Sequence, residues 1–192
     1  GIAYSKYDDG DAVKNAYTPT LKWLHANCPG TRLKAHGKAV GMPSDDDMGN
    51  SEVGHNAIGC GRVYAQGARL VNEAIANGSI WQGTWGDLIA NGQAGGGTLH
   101  FIGLFSDGNV HAHINHLKAM LTRARQDGQK RVRLHLLLDG RDVGETSALD
   151  YVDPFETWLA EFRAAGFDYR VASGGGRMNI TMDRYGANWD MV

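Results

Sequence analysis

The chain has 192 residues, 42% of them hydrophobic, and a formal net charge of −2. That much apolar material can bury the core of one large or two small domains, which excludes a disordered chain. The near-balanced charge excludes a general attraction to nucleic acid or membrane surfaces, so anion chemistry has to rest on local clusters of Arg and His. Cys28 and Cys60 form neither a metal-binding spacing nor a disulfide framework, and a reducing cytoplasm is the expected compartment. No apolar run is long enough to span a bilayer, and no signal peptide is expected. Gly1-Ile2-Ala3-Tyr4 at the start and Trp189-Asp190-Met191-Val192 at the end read as the edges of a piece cut from a longer protein.

Residues 5–17, with Asp8-Asp9-Gly10-Asp11, read as a solvated loop; the acids lack the oxygen spacing of a calcium loop. Thr18-Pro19 opens a helix, with proline at its first position and Leu21, Trp23 and Leu24 as its apolar face. Arg32 to Val40 alternates like a short strand or extended loop. Then comes Met48-Gly49-Asn50-Ser51-Glu52-Val53-Gly54-His55, preceded by Asp45, Asp46 and Asp47. Asn50 suits an N-cap, which puts Ser51 in the first helical turn beside unpaired N–H groups and the positive end of the helix dipole. Taken alone, a serine there is more often part of a cap than a phosphate site.

Val63 to Ile80 reads as a helix, Trp81 to Asn91 as a second, and Gly92 to Gly97 as a turn-rich loop. From Thr98 the pattern alternates. Strands are expected at Thr98–Phe105, Arg131–Leu138 and Phe167–Ala172, and helices at Asn115–Gln126 and Pro154–Ala165. Strand–helix–strand–helix–strand is the signature of an α/β layer around a mostly parallel sheet.

Each strand ends in a polar, glycine-containing loop: Ser106-Asp107-Gly108-Asn109-Val110-His111, Asp139-Gly140-Arg141-Asp142 and Ser173-Gly174-Gly175-Gly176-Arg177, the last followed by Asp183-Arg184. Ligands of open α/β sheets bind beyond the carboxyl ends of the strands. His111, Arg141, Asp142, Arg177 and Arg184 thus fall at one edge, a set suited to a small dianion and to acid–base chemistry. Singly, each has a plainer reading: Arg141-Asp142 as a loop ion pair, His111 as structural, His113 and His116 as structural or solvent-facing.

These segments resemble those of the cofactor-independent phosphoglycerate mutases. The resemblance rests on Asp47 to Asn56, Leu104 to His111, Leu138 to Val143, and Ser173 to Arg177 continuing through Met182-Asp183-Arg184-Tyr185, in family order along the whole chain. The triple glycine before Arg177 is similar to the branch found in trypanosomatids and some bacteria. Asn109 stands where the family usually has Gly.

The resemblance implies an α/β fold: part of an alkaline-phosphatase-like domain at residues 1–65, then part of an inserted phosphotransferase domain at 66–192. It implies interconversion of 3-phosphoglycerate and 2-phosphoglycerate in glycolysis and gluconeogenesis through a phosphoserine on Ser51, which a divalent metal would bind. Two ions are implied in the complete enzyme, Mn²⁺ favoured over Mg²⁺ or Co²⁺, with no 2,3-bisphosphoglycerate. Asp142 would be the general acid/base, and His111, Arg141, Asp142, Arg177 and Arg184 would hold substrate. The remaining metal ligands would lie outside these residues. The complete protein would be a cytoplasmic monomer binding no nucleic acid or membrane. The alternatives are a metal-dependent phosphatase of the same superfamily and an inactive phosphoglycerate-binding fragment.

Overall fold

The computed structural model describes residues 6–180, 182 and 186–191. They divide into two compact units, one ending at Ala35 and the other beginning at His36. The first unit contains a single helical turn, α1 (Ala12–Asn15), inside the stretch expected to be loop. Asp11 nucleates it, its carboxylate accepting the Lys14 N–H at 2.8 Å. The next helix, α2 (Pro19–Asn27), starts at the predicted proline. Its apolar residues form no buried face: Trp23 is 60% exposed and the helix buries no residue.

The second unit opens with a 3-10 turn at Gly37–Val40 in place of the end of an extended segment. Gly37 and Gly41 both take positive φ, which reverses the chain where a strand would run on. A Cβ on Gly41 would lie 1.9 Å from the Tyr64 carbonyl oxygen, so the backbones touch there. Helix α3 (Ser51–Cys60) follows, and its Val53 packs with Val40 and Met42 in a small core. Helix α4 (Gly67–Ala76) begins four residues later than the apolar spacing from Val63 predicts. The Gln66 backbone N–H donates to the Gly41 carbonyl and its side chain to the Val40 carbonyl, which holds the preceding chain to the glycine turn. Helix α5 (Thr84–Ala94) runs into the expected Gly-rich loop and buries Trp85 and Ile89.

The remaining elements alternate as expected: β1 (Leu99–Phe105), α6 (Ile114–Gln126), β2 (Arg131–Leu138), α7 (Ala148–Ala164), β3 (Asp168–Gly176) and the single turn α8 (Arg177–Ile180). The three strands form a parallel sheet in the order β1-β2-β3, and the fold is α/β. One face of the sheet, through Val132, Leu134 and Leu136, packs on Leu121 and Ala124 of α6 and on Phe155, Leu159 and Phe162 of α7. Leu121 and Phe155 are fully buried, and truncating either to Ala would cost about 2–5 kcal/mol. On the other face His100 Nδ1 lies 2.9 Å from His135 Nε2, and His135 Nδ1 lies 2.8 Å from Ser173 Oγ.

Two further elements, α7 and β3, start or end away from their sequence signals. Helix α7 begins at Ala148, so Pro154 is interior rather than first. An interior proline costs about 3 kcal/mol. Tyr151 and Val152, packed on the core ahead of it, offset that cost. Strand β3 does not stop at Ala172: Ser173–Gly176 pair with His135–Leu138. The register shifts there, Leu134 facing Val171 but His135 facing Ser173, so Ala172 is the extra residue of a bulge. The third loop therefore starts at Arg177. Phe105, Leu138 and Gly176 stand level across the sheet, and the next residue of each strand is Ser106, Asp139 and Arg177.

Candidate active site

Level strand ends make those three residues neighbours. Asp139, whose side chain is fully buried, accepts the Ser106 hydroxyl at 2.5 Å and Arg177 Nη1 at 2.8 Å. It also accepts the backbone N–H groups of Arg141 at 3.2 Å and Asp142 at 3.0 Å, curling the second loop around itself. Arg177 Nη1 donates as well to Asp142 Oδ2 at 2.6 Å. Burial alone would push the Asp139 carboxyl up, but the bonds from Ser106, the Asp142 N–H, Arg177 and the Arg141 N–H outweigh it and hold the group below the usual aspartate value. Burial alone would lower Arg177, and its two aspartates reverse that and raise it. A fixed cation and two fixed carboxylates thus sit at the sheet's carboxyl edge. They border a cleft of about 300 Å³ lined by Phe105, Leu138, Val143, Tyr151 and Arg177, among others.

A second cleft, of about 360 Å³, lies between the start of α3 and the loop after β1. Asn50, Glu52, Val53, Asn109, His111 and His116 line it. Asn50 caps α3 as its sequence predicts, its Oδ1 accepting the Val53 N–H at 3.0 Å. Its Nδ2 donates to the Val110 carbonyl at 3.4 Å. Asn109 takes the left-handed region at φ 55° and its Nδ2 donates to Asp47 Oδ1 at 2.7 Å. The other Asp47 oxygen accepts the Ser44 N–H at 2.7 Å. Burial pushes the Asp47 carboxyl up, and the bonds from Asn109 and Ser44 outweigh it, leaving it below the usual aspartate value. The loop after β1 thus touches both clefts, since Gly108 also abuts Asp142: a Cβ there would lie 3.1 Å from the Asp142 Cβ.

Ser51 is the first residue of α3 and is exposed. Among the described residues no base is hydrogen-bonded to its hydroxyl; His55 Nδ1 approaches the Ser51 carbonyl instead, at 2.6 Å. His111 is exposed and lines the second cleft. Arg141 is exposed, with its N–H on Asp139. Asp142 and Arg177 are paired directly, and Arg177 is only 8% exposed. Arg184, with Asp183, lies outside the described residues. His113 and His116 have structural partners: the Asn115 N–H donates to His113, and His116 lies 2.6 Å from Asn72 Oδ1.

Sequence reasoning gave no role to Ser106, Asp139 or Asp47. A signal was available, since Ser106 and Asp139 directly follow the apolar ends of β1 and β2, Leu104-Phe105 and Leu136-Leu137-Leu138. Among the described residues no three His, Cys, Asp or Glu gather as a metal site. These residues therefore do not by themselves fit the divalent-metal site that the resemblance implies at Ser51.

Residues 71–192 match the family model described as BPG-independent PGAM N-terminus. The chain belongs to that family. The comparison extends beyond the matched segment. A probable 2,3-bisphosphoglycerate-independent phosphoglycerate mutase of Leptospira interrogans is 55% identical over 195 residues, covering 100% of this chain and 36% of that protein. The 2,3-bisphosphoglycerate-independent phosphoglycerate mutase of Zea mays is 49% identical over 187 residues, covering 96% of this chain and 33% of its own length. Among solved structures, a Leishmania mexicana phosphoglycerate mutase at low cobalt concentration superposes with a TM-score of 0.81 at 49% identity, over 96% of this chain and 34% of that one. The chain thus spans about a third of the length of each of these relatives.

Proposed function

We propose that this chain carries the serine and the acid–base loops of a phosphoglycerate mutase that interconverts 3-phosphoglycerate and 2-phosphoglycerate without 2,3-bisphosphoglycerate. The observation that carries the reading is the Asp139–Arg177–Asp142 cluster at the strand ends, joined through the loop after β1 to the helix start that bears Ser51. Ser51 loses its hydroxyl proton to solvent as its Oγ bonds to phosphorus and the ester bond to glycerate breaks, giving a phosphoserine at the start of α3, and the hydroxyl is reprotonated when the phosphoryl group leaves. Unpaired N–H groups and the helix dipole favour the dianion there. The freed glycerate oxygen takes a proton. Glycerate turns within the site, its other hydroxyl loses a proton, and that oxygen takes the phosphoryl group back. Asp142, its carboxylate aimed by Arg177 and by its own N–H on Asp139, exchanges those protons. His111, Arg141, Arg177 and Arg184 hold substrate oxygens.

The domain boundary we assign lies near residue 65, with a phosphatase-like part before it and a transferase part after. The Leishmania mexicana relative was studied with cobalt, which supports a divalent-ion requirement; we assign two ions, Mn²⁺ favoured. Apart from Ser51 the donors for such ions lie outside the described residues, so residues 1–192 alone bind phosphoglycerate without turning it over. The complete protein is assigned to the cytoplasm as a monomer.

The test is conversion of 3-phosphoglycerate by the full-length protein without added bisphosphoglycerate. Activity should vanish in Ser51→Ala and on chelation, and phosphate should be found on Ser51 by mass spectrometry. Full activity in Ser51→Ala refutes the reading. In the 192-residue chain, Arg141→Ala should weaken phosphoglycerate binding in a calorimetric titration while Lys118→Ala, whose ammonium lies over the Trp158 ring, should not.

A further inference from the structure

Ser51 is exposed, and among the described residues nothing is bonded to its hydroxyl, so its position depends on what anchors the start of α3. Two bonds reach that start from the loop after β1, across 62 and 60 residues of chain: Asn109 Nδ2 to Asp47 Oδ1, and Asn50 Nδ2 to the Val110 carbonyl. The first has the better geometry, 2.7 Å against 3.4 Å, and its acceptor is ionised. Asp47 is itself a junction: its other oxygen accepts the Ser44 N–H, and its carbonyl accepts the Gly37 N–H at 3.0 Å. Holding Asp47 therefore holds the whole turn that leads into Gly49, Asn50 and Ser51.

Asn109 is equipped for this in two ways. It is the one non-glycine residue at positive φ among the described residues, and Asn is among the side chains that tolerate that region. The left-handed turn directs its short amide back across the cleft to Asp47. A glycine would make the same turn without the amide.

We propose that Asn109 is a positioning residue for Ser51, clamping the Asp47 turn and the start of α3 against the loop that carries His111. The inference rests on Ser51 being the nucleophile of the proposed mutase. It makes the alignment of serine and substrate loop a property of one amide–carboxylate bond. The further charge acting on Asp47 is that of His113, so wild type has to be followed over the same pH range as any variant.

The test uses Asn109→Gly, which keeps the turn and deletes the amide, and Asn109→Asp, which keeps the shape and faces one carboxylate with another. Hydrogen exchange of the Val53 and Gly54 N–H groups should be about tenfold faster in Asn109→Gly, as the loss of one charge-assisted bond implies. In the full-length protein kcat should fall by about the same factor, with KM changed less than about twofold. Asn109→Asp should be equally impaired at pH 7 and recover towards pH 5, where one carboxyl takes a proton and donates to the other. Wild-type exchange and kcat in Asn109→Gly, or an Asn109→Asp defect that does not move with pH relative to wild type, would overturn the proposal. Activity surviving in Ser51→Ala would sink the nucleophile reading alone, because the exchange data judge the clamp independently.

Discussion

Asp139→Asn tests whether the strand-end cluster is held by charge. The wild-type carboxylate, fully buried, serves Ser106, Arg177 and two backbone N–H groups. Asparagine keeps one oxygen for the N–H groups, and its amide can donate to the Ser106 oxygen. It removes one negative partner of Arg177 and leaves Asp142 at 2.6 Å. Losing a bond between charged groups costs about 1.5–3 kcal/mol. Asp139→Ala strands all four donors and should cost about 3–5 kcal/mol, as breaking a buried pair does. In urea, with a slope of about 2 kcal/mol/M, the asparagine variant should unfold about 1 M earlier with the slope unchanged. The pH dependence has a definite sign. The folded carboxyl lies below its ordinary value, so its contribution is complete above about pH 4 and is lost as pH falls through the folded value. The gap between wild type and Asp139→Asn should therefore stay nearly level from pH 6 to about pH 4 and narrow below that towards pH 3. Equal stability at pH 7, or a gap constant over that range, refutes the argument.

Gly41→Ala should destabilise the fold by at least about 2 kcal/mol in the same urea assay, from the left-handed backbone together with the clash on the Tyr64 carbonyl. Asp168 should titrate at about 2 by carboxyl NMR, because Arg133 and Arg170 bond to its charged form, and Arg133→Gln should move it up. Whatever stability it adds is complete above the ordinary aspartate value and fades as pH falls towards 2. Ser51→Ala should change stability by less than about 0.5 kcal/mol, since the residue is exposed and Asn50 supplies the cap.

The alternation of β1, α6, β2, α7 and β3 was legible because apolar residues recur at alternate positions along the strands, as at Leu99 and Phe101 and at Val132, Leu134 and Leu136, and the helices between them repeat at helical spacing. The cap at Asn50 was legible because capping is a local bond. The start of α7 was not: Pro154 is the louder signal, and only packing of Tyr151 and Val152 on the core overrules it. Nor was the end of β3, since three glycines read as loop until a neighbouring strand pairs with them. At the site, the Arg and Asp residues could be placed on one edge from strand order. The Asp139 junction and the Asn109–Asp47 bond join residues 33 to 62 positions apart and exist only once the strand ends are level.

The bulge at Ala172 has a further consequence, which is one of parity. Side chains of a strand alternate, so a single extra residue exchanges the two faces for every position after it. Val171 faces the core opposite the helices, yet Ser173, two positions on, joins His135 on the other side. Arg177 leaves the strand with that exchanged phase, which is the phase that delivers it to Asp139. The length of β3 therefore counts by odd and even. Removing Ala172 alone would close the bulge, with Val171 still opposite Leu134 and Ser173 still opposite His135, whereas removing one residue between Ser173 and Gly176 would turn Arg177 away from its carboxylates.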